Sequence, residues 1–199
     1  PFTFHNAFLW DTPSGGVARM DTAAPAANQA QLRLEPDRIP QNWDPSLAGS
    51  YEITCQIIAH TQGVGVGHLE MMSADPNVAW TLTWHPEFVG FDNQWGQWLD
   101  ANDPSYTYPM DTTDGLHTYR VDFDPAVPSA TLIVDGVNTG IVLTSELCCG
   151  RGRTELVLGD AYGGSVGGQI DFDSYTIGPL IGPTPNVFED FDGVVSVNR

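Results

Sequence analysis

Residues 114–140, DGLHTYRVDFDPAVPSATLIVDGVNTG, constrain the fold more than any other stretch of the chain. His117, Tyr119, Val121 and Phe123 alternate with Thr118, Arg120, Asp122 and Asp124, a period of two that predicts a strand with one apolar and one polar face. A Pro-containing turn follows, then Thr131–Val134, then Asp135-Gly136. That dipeptide suits the φ > 0 positions of a tight hairpin, so a third antiparallel strand is expected directly after it. Three consecutive strands joined by short turns predict an antiparallel β-sandwich with a solvated face.

The rest of the chain extends the pattern. Phe2–Trp10 is aromatic and strand-like, and Gln31–Leu34 is a short strand. Tyr51–His60 is a strong strand, followed by the glycine-rich turn 61–67 and a return strand from Gly67 to Met72. In Val78–His85 the apolar set Val78, Trp80, Leu82 and Trp84 shares one face, which directs Trp80 and Trp84 to the core. Residues 86–110 form a long polar and aromatic excursion without a period. Strands resume at 116–123, 130–134, 139–143, 154–159 and 169–177. No segment of useful length has a helical period.

Residues 156–177 carry a second signature: Leu156–Gly159, then Asp160, the glycine-rich run 163–168, and QIDFDSYTI at 169–177. Together with the hairpin at 114–140, this segment resembles the central and closing strands of the concanavalin A-like lectin/glucanase superfamily, which includes laminin-G-like domains. The resemblance covers roughly residues 50–178. It implies a jelly-roll β-sandwich and leaves activity open, because that superfamily hosts lectins, glycosidases, lyases and structural proteins.

The 199 residues suit one sandwich domain over 1–178, with a Pro-rich linker and C-terminal strand, or the start of an appended module, at 179–199. No apolar run is long enough to cross a bilayer. The chain opens at Pro1-Phe2, as a processed protein does. The formal net charge is −18, and all seven basic residues are arginines. That charge disfavours nucleic acid and anionic membranes and suits divalent cations. An extracellular or cell-surface location is expected. Three cysteines are present, Cys55, Cys148 and Cys149. Cys55 shares the inward face of its strand with Tyr51, Ile53 and Ile57. Two arrangements are open: a disulfide from Cys55 to one of the adjacent pair, or a buried free thiol with the pair bridged or unbridged.

The richest binding chemistry lies at 91–109, FDNQWGQWLDANDPSYTYP. Trp95, Trp98, Tyr106 and Tyr108 offer flat apolar faces on which the C–H side of a sugar stacks. Asn93, Gln97, Asp100 and Asn102 offer the donors and acceptors that sugar hydroxyls need. A glycan or polysaccharide is therefore the expected partner. Resemblance to calcium-bearing jelly rolls implies a Ca²⁺ held by Asp160, Asp171 and Asp173.

Enzyme readings meet departures from pattern. The superfamily's glucanases place nucleophile and acid/base in E-x-D-x-x-E on one strand. Here Glu70 is followed at those spacings by Met72 and Asp75. A polysaccharide lyase needs a base and a cation, for which His60, His68, His85, Tyr106, Tyr108 and Arg120 are the raw material. The lyase motifs R-x-E-L-R and Q-I-H are absent. The reading is therefore a secreted, non-catalytic carbohydrate-binding module. The alternatives are a polysaccharide-degrading enzyme and a structural subunit whose C-terminal strand adds to a neighbouring molecule to form a homo-oligomer or filament. The tail's own alternatives are a calcium loop beginning at FEDFDG and a terminal strand that closes its own sheet.

Overall fold

The computed structural model describes residues 3–5, 10–11, 16–21, 31–34, 47–63, 65–74, 77–92, 105–127, 129–144, 155–159, 166–179 and 187–190. All regular structure in them is β: β1 (Thr3–His5), β2 (Trp10–Asp11), β3 (Ala18–Asp21), β4 (Gln31–Leu34), β5 (Gly49–Gly63), β6 (Gly67–Ala74), β7 (Asn77–His85), β8 (Phe88–Asp92), β9 (Thr107–Pro109), β10 (His117–Asp124), β11 (Ser129–Val134), β12 (Val137–Thr144), β13 (Glu155–Gly159), β14 (Val166–Pro179) and β15 (Val187–Asp190). A seven-stranded sheet runs β1-β4-β13-β6-β7-β8-β9. An eight-stranded sheet runs β12-β11-β10-β5-β14-β3-β2, with β15 also on β14. Every pairing is antiparallel.

The hairpin at 114–140 forms as its residues require. Asp135 and Gly136 take φ of 49° and 77°, the left-handed pair that lets β11 and β12 turn back without splaying. On β10 the alternating residues Tyr119, Val121 and Phe123 are buried, and so are Tyr51, Ile53, Cys55 and Ile57 on its neighbour β5. The seven-stranded sheet meets them with Leu69, Met71, Trp80, Leu82 and Trp84. Two tryptophans key the layers together. Trp80 lies 5.7 Å from Phe123, and Trp84 lies 5.9 Å from Tyr119 and 6.0 Å from Phe172, between ring centroids. Both are fully buried, as the alternation in β7 predicts. Rings of this size contribute roughly 1.5–3 kcal/mol each through burial.

One expectation changes, and two alternatives that the sequence left open narrow. Residues 86–110 are not one excursion: Phe88–Asp92 and Thr107–Pro109 are strands, and β8 follows β7 after a two-residue turn. Gly90 conceals β8 in the sequence and is required there, since a Cβ would lie 2.3 Å from the Tyr106 carbonyl oxygen. Cys55 carries a free thiol and forms no cross-link to Cys148 or Cys149, which lie outside the described residues. It is buried in the centre of β5, opposite Phe172, and burial pushes its thiol well above the ordinary range. Finally, Val187–Asp190 of the tail pairs with β14 from Ser174 to Ile177, the arrangement of a terminal strand added to its own sheet.

A strap at residues 110–116 ties the layers at one end. Thr112 accepts at its carbonyl from the Ile57 N–H, donates its own N–H to the Pro86 carbonyl, and donates its hydroxyl to the His85 carbonyl at 2.8 Å. The Gln56 amide donates to the Thr113 carbonyl at 2.7 Å.

Candidate functional site

Alternation along the seven-stranded sheet sends two sets of residues in opposite directions. One cross-strand row, Leu158, Leu69, Leu82 and Phe91, faces the core. The adjacent rows face away from it. They read Gly159, His68, Thr83, Gly90, Thr107 and Val157, Glu70, Thr81. A third outward row is His85, Phe88, Pro109. The outward face of a surface sheet is ordinarily wet. Here His68 is 0 % exposed, Glu70 and Thr83 3 %, and Thr81 and Thr107 6 %. An imidazole, a carboxylate and three hydroxyls thus occupy a screened face with the core behind it.

Burial sets the electrostatics of this face. It drives the His68 pKa down to about 3, so the ring is neutral near pH 7. Tyr51 rises from the opposite sheet. Burial raises its hydroxyl far above the ordinary range, and the charge of Glu70 adds to that rise. His85 is pulled down by burial and by His60, with Glu87 opposing. Its ring stacks on Phe88 at 4.4 Å and meets His60 edge-on at 5.0 Å, while its Nδ1 accepts the Glu87 N–H at 3.2 Å. The positions flanking Glu70 on its face are His68 and Met72 along β6, Thr81 on β7 and Val157 on β13. None of these four is a carboxylate; the nearest one by register is Glu155, diagonal to Glu70 on β13 and paired with Met72.

The predicted sugar contacts are partly placed. Trp95, Trp98, Asn93, Gln97, Asp100 and Asn102 lie outside the described residues. Chain connectivity ties them to the end of β8 at Asp92 and to Ser105, before β9. The Phe91 N–H donates to the Tyr106 carbonyl at 2.9 Å, which fixes both ends of that segment to the sheet edge. Tyr106 and Tyr108 are half-buried and pack against the core, with Tyr108 paired to inward-facing Val89.

Other predicted residues fall on the opposite sheet. Arg120 projects from the outer face of β10, and Asp122 holds it through two bonds at 2.9 and 2.8 Å, so it is not a cation for His68 or His85. Asp171 pairs with Arg19 of β3 on the outer face of β14, while Asp173 sits in the irregularity between Phe172 and Ser174, where i,i+2 spacing does not fix a shared face. Both oxygens of Asp171 bind the Arg19 guanidinium, at 2.5 and 2.6 Å. A calcium ion does not fit there, since it would have to displace that guanidinium. Asp160 lies outside the described residues, and among those described no three His, Cys, Asp or Glu side chains converge as a metal site.

Reading the sequence for strands alone missed Thr81, Thr83 and Thr107 as part of a site. The signal available was H-x-E at 68–70 beside T-x-T-x-H at 81–85, polar positions interleaved with core residues on two adjacent strands.

No family model and no curated protein sequence matches the chain. Solved structures do match in fold. A sialidase superposes with TM-score 0.60 and 8 % identity over 90 % of this chain, which spans 17 % of that protein. The bifunctional GH43-CE of Bacteroides eggerthii gives 0.59 at 14 % identity, over 90 % of this chain and 25 % of that one. Alginate lyase A1-II' gives 0.54 at 11 % identity and covers both chains almost fully, 88 % and 85 %. Identities this low establish architecture alone, and that architecture is the concanavalin A-like jelly roll.

Proposed function

We propose that the protein is a secreted glycan-binding β-sandwich that acts without catalysis. The observation that carries this reading is that Asp92 and Ser105, the residues bounding 93–104, lie at the β8–β9 edge of the sheet whose outward rows hold Thr81, Thr83, Thr107, His68 and Glu70. In this reading Trp95 and Trp98 supply stacking surface, with the half-buried Tyr106 and Tyr108 as its core-anchored margin, while Asn93, Gln97, Asp100 and Asn102 pair with sugar hydroxyls. The burial of His68 and Glu70 supports a non-catalytic role, because groups 0 % and 3 % exposed have no access to a scissile bond. The fold is shared with proteins named as carbohydrate-active enzymes, which agrees with a glycan ligand.

A second reading, a polysaccharide-cleaving enzyme, draws on the neutral His68 beside Glu70 on β6. One comparison separates the two. Trp95→Ala with Trp98→Ala is expected to abolish retention on a polysaccharide affinity gel, each lost stack costing about 1–3 kcal/mol by analogy with base stacking on aromatic rings. His68→Asn is expected to leave retention intact. Release of reducing ends or unsaturated products by the wild type, lost in His68→Asn, would establish the enzyme instead.

A further inference from the structure

We infer that Asp114 is a site of spontaneous isoaspartate formation in the folded protein, and that the same dipeptide at Asp135-Gly136 is guarded against it. Both Asp-Gly pairs meet at one histidine, His117, and they are held differently.

An aspartate followed by glycine can close on its own backbone. The glycine nitrogen attacks the side-chain Cγ, a C–N bond forms, and the carboxyl hydroxyl leaves as water with the amide proton. Water then adds back to either carbonyl of the five-membered imide. Addition at the former backbone carbonyl reroutes the main chain through Cβ and Cγ and leaves the α-carboxylate as the side group. Glycine favours the step because no Cβ crowds its nitrogen. The carboxyl must swing away from its partners to reach that nitrogen.

Asp135 lacks that freedom. Its Oδ1 accepts the Thr118 N–H at 2.8 Å, and its Oδ2 lies 2.7 Å from His117 Nδ1. Its own N–H donates to the Thr118 carbonyl at 2.8 Å. Both oxygens are thus tied to residues of β10. The backbone is fixed as well, by φ of 49° and 77° at the two turn residues and by the Val134–Val137 pair that flanks them.

Among the described residues the Asp114 carboxyl has a single tie, Oδ1 to His117 Nε2 at 2.7 Å. A neutral imidazole carries one ring proton, so it cannot donate to both carboxylates at once. Asp114 and Gly115 lie in the strap, outside any strand, and a Cβ at Gly115 would meet nothing within 4 Å. Exposure does not separate the two sites, at 62 % for the Asp114 side chain and 50 % for that of Asp135. Anchoring does. Isomerisation at Asp114 adds a carbon to the strap's backbone and draws the carboxylate off His117.

The test ages the whole chain at neutral pH, folded and in urea, until the urea sample takes label from an isoaspartyl methyltransferase, which esterifies the displaced carboxylate. Cleavage after arginine puts the two sites on different peptides, 39–120 and 121–151. In the folded chain, label on 39–120 is expected to exceed label on 121–151 by about tenfold, the rate equivalent of one hydrogen bond to a charged group. In urea the two are expected to converge. Gly115→Ala, whose methyl has open space, is expected to remove most of the label from 39–120 and so identify Asp114 among that peptide's aspartates. Equal labelling of the two peptides in the folded chain overturns the inference. So does label on 39–120 that survives Gly115→Ala, or its absence from the folded chain when the urea sample carries it.

Discussion

The two outer faces of the sandwich are built from similar residue types and meet different surroundings. On the eight-stranded sheet, polar side chains settle one another in cross-strand pairs, and all but the arginine-bound Asp171 of those named here are half-buried or exposed. Arg19 meets Asp171, Gln169 donates to Asp21 at 2.7 Å, and the Thr54 and Thr118 hydroxyls lie 3.2 Å apart. On the seven-stranded sheet, His68, Glu70, Thr81 and Thr83 occupy the corresponding outward positions and are buried. A solvated face tolerates charge because water and counter-charges stabilise it. A screened face cannot, and its imidazole stays neutral. The difference marks the seven-stranded side as the one specialised for something other than solvent.

The sharpest way to break this contrast is to place the same charge on both faces. Thr83→Asp puts a carboxylate where 3 % of the residue is exposed and where the Gly65 backbone lies so close that a Cβ there would meet the threonine methyl at 2.6 Å. An uncompensated buried charge costs on the order of 3–5 kcal/mol. Thr54→Asp puts it on the half-buried outer face of β5, where about 1 kcal/mol or less is expected. Urea denaturation of both variants measures the gap. Equal losses would mean that the two faces are equally wet and that no screened face exists.

A second probe uses the pH response of His68. Its folded pKa, about 3, lies below the unfolded 6.5, so the unfolded chain binds the extra proton. Folding stability therefore falls as pH drops below 6.5, by up to about 1.4 kcal/mol per pH unit for one such group. His68→Gln removes that slope. The wild type is expected to lose about 2–3 kcal/mol relative to His68→Gln between pH 6.5 and 4.5, an order-of-magnitude figure. Parallel stability curves for the two proteins would show a solvated, ordinary histidine at position 68.

Which parts of this were legible in the sequence follows from the range of the interaction involved. Asp135-Gly136 was legible because its backbone chemistry is local: the turn needs φ > 0, and these residues supply it. Trp80 and Trp84 were legible because strand alternation assigns them to one face, and the core takes that face. β8 was not, because Gly90 breaks the apolar run for the sake of a carbonyl sixteen residues on, that of Tyr106. The ion pair of Arg19 with Asp171 joins positions 152 residues apart, and nothing in either neighbourhood announces it. The polarity of Thr81 and Thr83 was visible, but their burial is not a property of β7 alone. An alternating polar residue reads as solvent-facing until the tertiary structure covers it.

The smallest expected effect concerns a second histidine, whose sign should be opposite. His117 stands at the start of β10 with Asp135 at 2.7 Å from Nδ1 and Asp114 at 2.7 Å from Nε2. Burial works against its proton, yet the bonds to the two carboxylates prevail and raise its pKa above 6.5. Burial likewise works against the charge of Asp135, and the Thr118 N–H and His117 outweigh it, holding that carboxyl below 3.8. The clamp is therefore complete below pH 6.5 and weakens as pH rises through the raised folded value. On the acid side it survives until pH falls through the lowered value of Asp135. Asp111, which bonds Thr113 at the same end, adds its charge to this setting without touching the ring. His117→Gln is expected to melt closest to the wild type at pH 9 and furthest below it between about pH 4 and 6.5. The two histidines then give pH slopes of opposite sign in one protein, neutral under the screened face and charged at the wet rim. Melting curves of both variants from pH 4.5 to 9 would undo that assignment if the His117→Gln deficit grew with rising pH.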